Sequence, residues 1–270
     1  MMTAMETVPD ATQSATPKAA RQADYDLLTF YRENYFITGF TEQTQVKFQF
    51  SAKYDLWPNE GQHAVYFAYT QLSLWNLYDL SSPFAETNYA PELFYIYFHH
   101  PGRYEPPPGC AFFHERGGYE HVSNGEAGAR SRGWNLIYAE SRFACYGAEH
   151  NFGLATLKAW FPFDKGDNPN IADYLGYGEL QLAYGDEGGN RWYGDYGISA
   201  ALRKGTVTFW SGSLEVDVKF RPQVFRYSRF TPWLYAQFFT GYGQTLLTYN
   251  VTTTSFRVGI AFSDRITREE

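Results

Sequence analysis

The sequence predicts an all-β protein, a 12-stranded antiparallel transmembrane β-barrel, and three observations carry that expectation. Aromatic residues make up 20% of the 270 residues while charged residues make up 19%, and the mean hydropathy is only -0.44. A chain this rich in large rings is not disordered in its bulk, because disordered chains are poor in aromatics. No run approaches the roughly 18 consecutive apolar residues of a membrane-spanning helix, so helical membrane proteins are excluded. From Tyr35 onward one pattern recurs instead, roughly ten residues of alternation and then a turn rich in Gly, Asn, Asp or Pro. Strands that face lipid on one side and a polar lumen on the other average out to such modest hydropathy.

The elements follow in order. The opening MMTAMETVPDATQSATPKAARQAD is small, polar and interrupted by proline, with no apolar h-region, so it does not read as a secretory signal peptide. Residues 1–30 are expected to be a disordered arm on a chain whose export signal has been removed. Residues 31–264 should form the barrel and 265–270 a short tail. Strands are expected at 35–40, 46–54, 63–72, 89–99, 111–123, 133–146, 153–162, 174–185, 190–202, 205–220, 231–242 and 255–263. Alternation is clean in the second, where Val46, Phe48, Phe50, Ala52 and Tyr54 interleave with Lys47, Gln49, Ser51 and Lys53. It is equally clean near the end, where Leu214, Val216, Val218 and Phe220, and later Phe256, Val258, Ile260 and Phe262, fall on single faces. An even strand count suits a closed antiparallel barrel with both termini on one side. The same pattern also fits a soluble barrel or sandwich; strand length and the aromatic excess favour the membrane barrel.

Charge and cysteines narrow the function classes. Lys+Arg 22 against Asp+Glu 29 gives a net charge of -7, which lends a nucleic-acid partner no electrostatic support. Cys110 and Cys145 are too few for a disulfide framework and form no CxxC metal pair. Unbroken strand parity puts Cys110 on the face opposite His121 and Cys145 on the face of Asn135. The two cysteines would then lie on opposite sides of the sheet, so two free thiols are expected.

One segment carries chemistry: Tyr119-Glu-His-Val-Ser-Asn-Gly125, then a small charged loop, then Ser131-Arg-Gly-Trp-Asn135. Even positions before it hold His114, Arg116 and Glu120, and odd positions hold Phe113, Tyr119, His121 and Ser123. The next strand has Glu140 and Arg142 at even positions and Ile137, Ala139 and Phe143 at odd ones. If charges line the lumen, the odd faces meet lipid, and His121, Ser123 and Asn135 all point outward. Polar atoms on a lipid-facing wall are costly unless they satisfy one another. A hydroxyl, an imidazole and an amide can do so, and they also make a nucleophile, a base and an orienting group. A His and a Ser two residues apart occur by chance in any barrel; the agreement in parity with Asn135 is what sets this pair apart. An outward site suits an enzyme whose substrate is the bilayer.

The run YEHVSNG…SRGWN resembles the signature of the outer-membrane phospholipase A family of Gram-negative bacteria. The segments SSPFAETNYAPELF (81–94), DNPNIADYLGYGEL (167–180) and GYGQTLLTYN (241–250) resemble other blocks of that family, so the likeness spans residues 35–263. It implies a calcium-dependent acyl hydrolase, a phospholipase of the A1/A2 and lysophospholipase type, on a twelve-stranded barrel in the bacterial outer membrane. Carried over by position, the resemblance makes Ser123 the nucleophile, His121 the base, Asn135 the orienting amide and the Gly125 N–H the oxyanion donor. It makes Ser131 a calcium-binding hydroxyl and assigns a second calcium ligand to the backbone carbonyl of Glu126. Ser81 of a second subunit would add a carbonyl, Gln71 would lie at the dimer interface, and calcium would promote the homodimer. Asp167 matches one acidic position of a second calcium site, whose other acidic position is Gly128 here. Membrane phospholipids are the implied substrates. The rival class is a non-enzymatic outer-membrane pore or transport barrel, which requires an open polar lumen and ion conductance in place of fatty-acid release.

Overall fold

Each strand of the series pairs antiparallel with the next, and the last returns to the first, so period-two alternation becomes an inside and an outside. The computed structural model describes residues 27–40, 44–57, 61–100, 108–147, 150–187, 194–209, 211–224 and 232–262. The wall is built from β1 (Leu28–Phe30), β2 (Asn34–Phe40), β3 (Gln45–Asp55), β4 (His63–Trp75), β5 (Phe84–Phe98), β6 (Gly109–Ser123) and β7 (Gly133–Tyr146). It continues through β8 (Asn151–Phe163), β9 (Gly178–Asp186), β10 (Gly194–Lys204), β11 (Gly212–Pro222), β12 (Trp233–Gly241) and β13 (Thr253–Phe262). Pairing of β3 with β4 and of β13 with β2 closes the sheet. β1 and β2 lie in turn along the same edge of β3, so together they make one stave, and the barrel has twelve. The last residues of the expected arm therefore join the wall. Residues 1–26 and the expected tail 265–270 lie outside the described residues.

Several boundaries differ: β5 begins at Phe84 rather than 89, β10 is described from Gly194 rather than 190, and two further shifts have a visible physical reason. The expected strand 174–185 starts later, because Ile171–Leu175 form a short helix, α1, with Ile171, Ala172 and Leu175 buried. The expected start at 205 moves to Gly212, because the Lys204 ammonium donates to the carbonyls of Gly205, Thr208 and Ser211 at 2.6, 2.9 and 3.1 Å and gathers them into a loop.

Where β1 gives way to β2, Tyr31 and Arg32 turn into the lumen. The Tyr31 hydroxyl donates to Glu92 at 2.9 Å, and Arg32 Nη2 reaches Glu92 at 3.1 Å and Glu120 at 2.9 Å. Lys158 binds Glu120 at 2.8 Å, and Arg116 pairs with Glu140. Lys47 of β3 reaches Glu215 of β11, strands that are not neighbours in the wall, and Lys219 of β11 reaches Glu33, between β1 and β2, at 2.7 Å. The interior also holds a packed cluster of Tyr66, Phe94, Ile96, Phe98, Phe113 and Tyr138. About 530 Å³ of cavity remains among these groups. The outside is the reverse: Phe50, Phe67, Leu93, Tyr95, Ile137, Leu157, Phe161 and Leu234 are exposed. Strands of nine residues or more, at roughly 3.3 Å each and tilted, cover the roughly 25 Å of an outer-membrane apolar band. Among the described residues no helix is long and apolar enough to cross a membrane; the crossing is made by strands.

Parity is broken once in β6. From Ser123 opposite Gly133 down to His114 opposite Arg142 the register with β7 is constant, and between Phe112 and His114 it slips by one residue. Phe113, expected on the lipid face, turns inward beside His114 and is buried. Below the slip Cys110 stands directly opposite Cys145, with Cα atoms 4.0 Å apart, and the two form a disulfide. The expected free thiols are thus corrected: a bulge adds one residue to β6 and brings both cysteines to the outer face.

Candidate active site

The chemistry-bearing residues lie on the outer wall at one rim of the barrel, where β6 ends at Ser123, β7 begins at Gly133 and β8 ends at Phe163. His121 is opposite Asn135, and Asn135 is opposite Phe163. Directly opposed residues share a side of the sheet, and Ser123, two positions on from His121, shares it too. The expected grouping is therefore present. A second row crosses the same wall, in which Gln71 is opposite Tyr89 and Tyr89 opposite Ser123. Gln71 thus lies two strands from Ser123, with its side chain bonded to Tyr69 at 3.1 Å and Ser73 at 3.4 Å.

His121 Nδ1 donates to Asn135 Oδ1 at 2.7 Å. An amide oxygen only accepts, so Nδ1 carries the proton and Nε2 is left as the acceptor. The Tyr119 hydroxyl donates to the same Oδ1 at 2.7 Å, and Asn135 Nδ2 donates to Asp164 Oδ2 at 3.1 Å. Asn135 is only 6% exposed. Among the described residues no hydrogen bond joins Ser123 to His121. Such contacts commonly tighten only when substrate is bound. Gly133, opposite Ser123, puts no side chain against the hydroxyl.

The loop after Ser123 is organised by Asn124, which is buried. Its Oδ1 accepts from the N–H groups of Glu126 (3.3 Å) and Arg132 (3.0 Å), and its Nδ2 donates to the Arg130 carbonyl at 2.8 Å. Gly125 adopts φ +66°, and a Cβ there would come within 2.9 Å of the Tyr89 ring, so only glycine fits. Glu126 is paired with Arg130, whose hydrogen bond holds the Glu126 carboxyl below the usual carboxylate range. Gly128 opens a short 3-10 turn that ends at Ser131, whose Oγ donates to Asp167 Oδ2 at 2.6 Å. Ser131 and Asp167, expected at separate calcium sites, are therefore in contact. The donors gathered here are all oxygens, the chemistry that calcium favours. Among the described residues no three His, Cys, Asp or Glu side chains cluster as a metal site. Ser81 is in the exposed loop between β4 and β5, with φ +67° followed by φ +40° at Ser82. Ser82 braces that loop through Leu77 (2.9 Å) and Trp75 (2.8 Å).

A family model described as Phospholipase A1 matches residues 12–262. The chain is 34% identical over 228 residues to the phospholipase A1 of Salmonella typhimurium, and equally to that of Escherichia coli K12. Each alignment covers 82% of this chain and 70% of the relative. The chain belongs to the phospholipase A1 family. Solved relatives share its architecture. The outer membrane phospholipase A of Escherichia coli superposes with a TM-score of 0.72 at 29% identity, over 88% of this chain and 99% of that one. A Salmonella typhi outer membrane phospholipase dimer with bound calcium gives 0.73 at 29% identity, over 90% and 95%. This phospholipase is accordingly a Gram-negative outer-membrane β-barrel enzyme.

Sequence reasoning on this phospholipase missed four residues that hold the site. Asn124 and Asn168, the latter accepting from the Gly133 N–H at 2.8 Å, fix the loop and the start of β7. Tyr119 and Asp164 hold the Asn135 amide. Tyr119 shares the odd face of His121 and was findable by parity; Asp164 lies beyond the end of β8, where no spacing rule reaches.

Proposed function

We propose that this phospholipase hydrolyses acyl ester bonds of membrane phospholipids with Ser123, His121 and Asn135 on its outer wall. The observation that carries the reading is the 2.7 Å bond from His121 Nδ1 to Asn135 Oδ1, on the face of Ser123. That bond leaves Nε2 to take the Ser123 proton as Oγ attacks the ester carbonyl. The ester C–O bond then breaks and the imidazolium returns its proton to the departing lysophospholipid. Water, deprotonated by the same base, attacks the acyl-serine, the acyl carbon–Oγ bond breaks as His121 returns the proton to Ser123, and the fatty acid leaves. Asn135 orients the imidazole without reacting. The N–H of Gly125, a residue with φ +66°, would donate to the oxyanion, a role worth roughly 3–4 kcal/mol of barrier. An asparagine-to-alanine change in the Escherichia coli enzyme is described as an active-site mutation, which supports Asn135 in this role.

Ser131 Oγ, the Asp167 carboxylate and the Glu126 carbonyl are the oxygens that would hold calcium. Calcium wants six to eight oxygens, so water and the carbonyl of Ser81 of a partner subunit would complete the set, with Gln71 on the facing wall. When bound, calcium would supply Lewis-acid polarisation next to the oxyanion. Metal binding and dimerisation are then linked and strengthen each other by the same factor. The pore alternative is disfavoured by the ion pairs and packed rings that cross the lumen. Acyl release from phospholipid micelles, with calcium and with a chelator, tests the proposal. Release that is lost with Ser123→Ala and with chelator is the expected result; release unaffected by Ser123→Ala would sink the nucleophile assignment.

A further inference from the structure

We propose that Asp164, supported by Tyr119, is a positioning residue that locks the Asn135 amide in the orientation that makes His121 a base. The inference rests on the triad reading above. An asparagine amide is nearly symmetric in shape, and a half-turn about its last bond exchanges the oxygen for the NH2 group. In one orientation Oδ1 faces His121 Nδ1 and the imidazole keeps its proton there. In the other, Nδ2 faces Nδ1 and donates to it, the proton must move to Nε2, and the base faces Ser123 with no lone pair. The two orientations have similar packing, so catalysis depends on something that tells them apart.

The neighbours of Asn135 do so unequally. The Tyr119 hydroxyl, 2.7 Å from Oδ1, donates as it stands but could accept from an NH2 group instead, so it favours the working orientation only weakly. The Asp164 carboxylate, 3.1 Å from Nδ2, can only accept. Turning the amide would set Oδ1 against a carboxylate oxygen with no proton between them. Asp164 therefore works in one direction only. The position is built for this contact: Asp164 follows β8 directly, one residue past the partner of Asn135, and its φ of +46° swings the chain out of the strand. A residue in that left-handed conformation is uncommon unless it is Gly, Asn or Asp. Its charge is exposed and partly screened, so orientation rather than long-range attraction is its contribution.

The test uses full-length enzyme in detergent micelles with calcium and a phospholipid substrate. Asp164→Ala is expected to lower kcat about tenfold to a hundredfold at unchanged KM. Asp164→Asn keeps the size and tolerates the same φ, yet its own amide can turn, so it should fail to restore the rate. Tyr119→Phe should cost only a few-fold. In an Asn135→Ala background, Asp164→Ala should cost nothing further, because its effect passes through the amide. Equal fractional losses in both backgrounds, or full rescue by Asp164→Asn, would overturn the lock while leaving the triad standing. An unchanged rate in Asn135→Ala alone would overturn the triad reading, and the lock with it.

Discussion

The lumen and the outer wall of this barrel both hold polar groups where water is scarce, and they deal with it differently. Inside, Arg32 bridges Glu92 and Glu120, Lys158 adds to Glu120, and Arg116 pairs with Glu140 beside His114. These are full charges, three cations against three carboxylates, each paired within the group. Outside, Asn135 binds His121, Tyr119 and Asp164, and the chain of bonds stops short of Ser123. One hydroxyl and one imidazole nitrogen are left open to the membrane. A closed network stabilises; one left open at a single point can react.

The comparison is broken most sharply at Ser123. Ser123→Ala should lower hydrolysis by roughly 10⁴-fold or more, as loss of a nucleophile does, while the barrel's urea transition in micelles stays within about 0.5 kcal/mol, as a surface substitution away from buried contacts should. A parallel loss of stability would mean that the outer group is structural. The lumen should behave in the opposite way. Arg116→Met leaves the Glu140 carboxylate buried without the guanidinium bonded to it, and breaking a buried pair costs about 3–5 kcal/mol. Folded variant should keep near-normal kcat below its transition; a rate that falls before unfolding would join the two regions.

Calcium sharpens the outer half of the contrast. Chelation should reduce the rate about a hundredfold, the scale of several kcal/mol for Lewis-acid stabilisation, and sedimentation in detergent should show the dimer dissociating with it. An active chain that stays monomeric in calcium would remove Ser81 of a partner subunit from the site. The smallest effect belongs to the disulfide. Cys145→Ser should cost about 2 kcal/mol of stability or somewhat more, by freeing the unfolded chain, and leave the rate unchanged. Non-reducing mass spectrometry that finds free thiols would contradict the register slip in β6.

Much of this was legible along the chain. Period-two alternation marks strands because successive side chains must face opposite ways, and the charges at 114, 116, 120 and 140 name the lumen side. That parity alone placed His121, Ser123 and Asn135 together on the outer wall. It failed at Phe113 and Cys110, because a bulge shifts the count without any mark in composition. It also failed at α1, where apolar Ile171 and Leu175 pack under the rim rather than in the wall.

What the sequence determined by itself is therefore what a local period can encode: a closed antiparallel wall, its two faces, and the side on which each catalytic candidate sits. What only the tertiary structure decided is where the period is interrupted and what meets across strands. The slip at Phe112–His114 made Cys110 and Cys145 partners, and the turn of the chain after Phe163 brought Asp164 to the amide of Asn135, 29 residues away. Contacts of that kind depend on register and on loop conformation. Both are fixed by the sum of pairings around a closed sheet, so no single stretch of residues contains them.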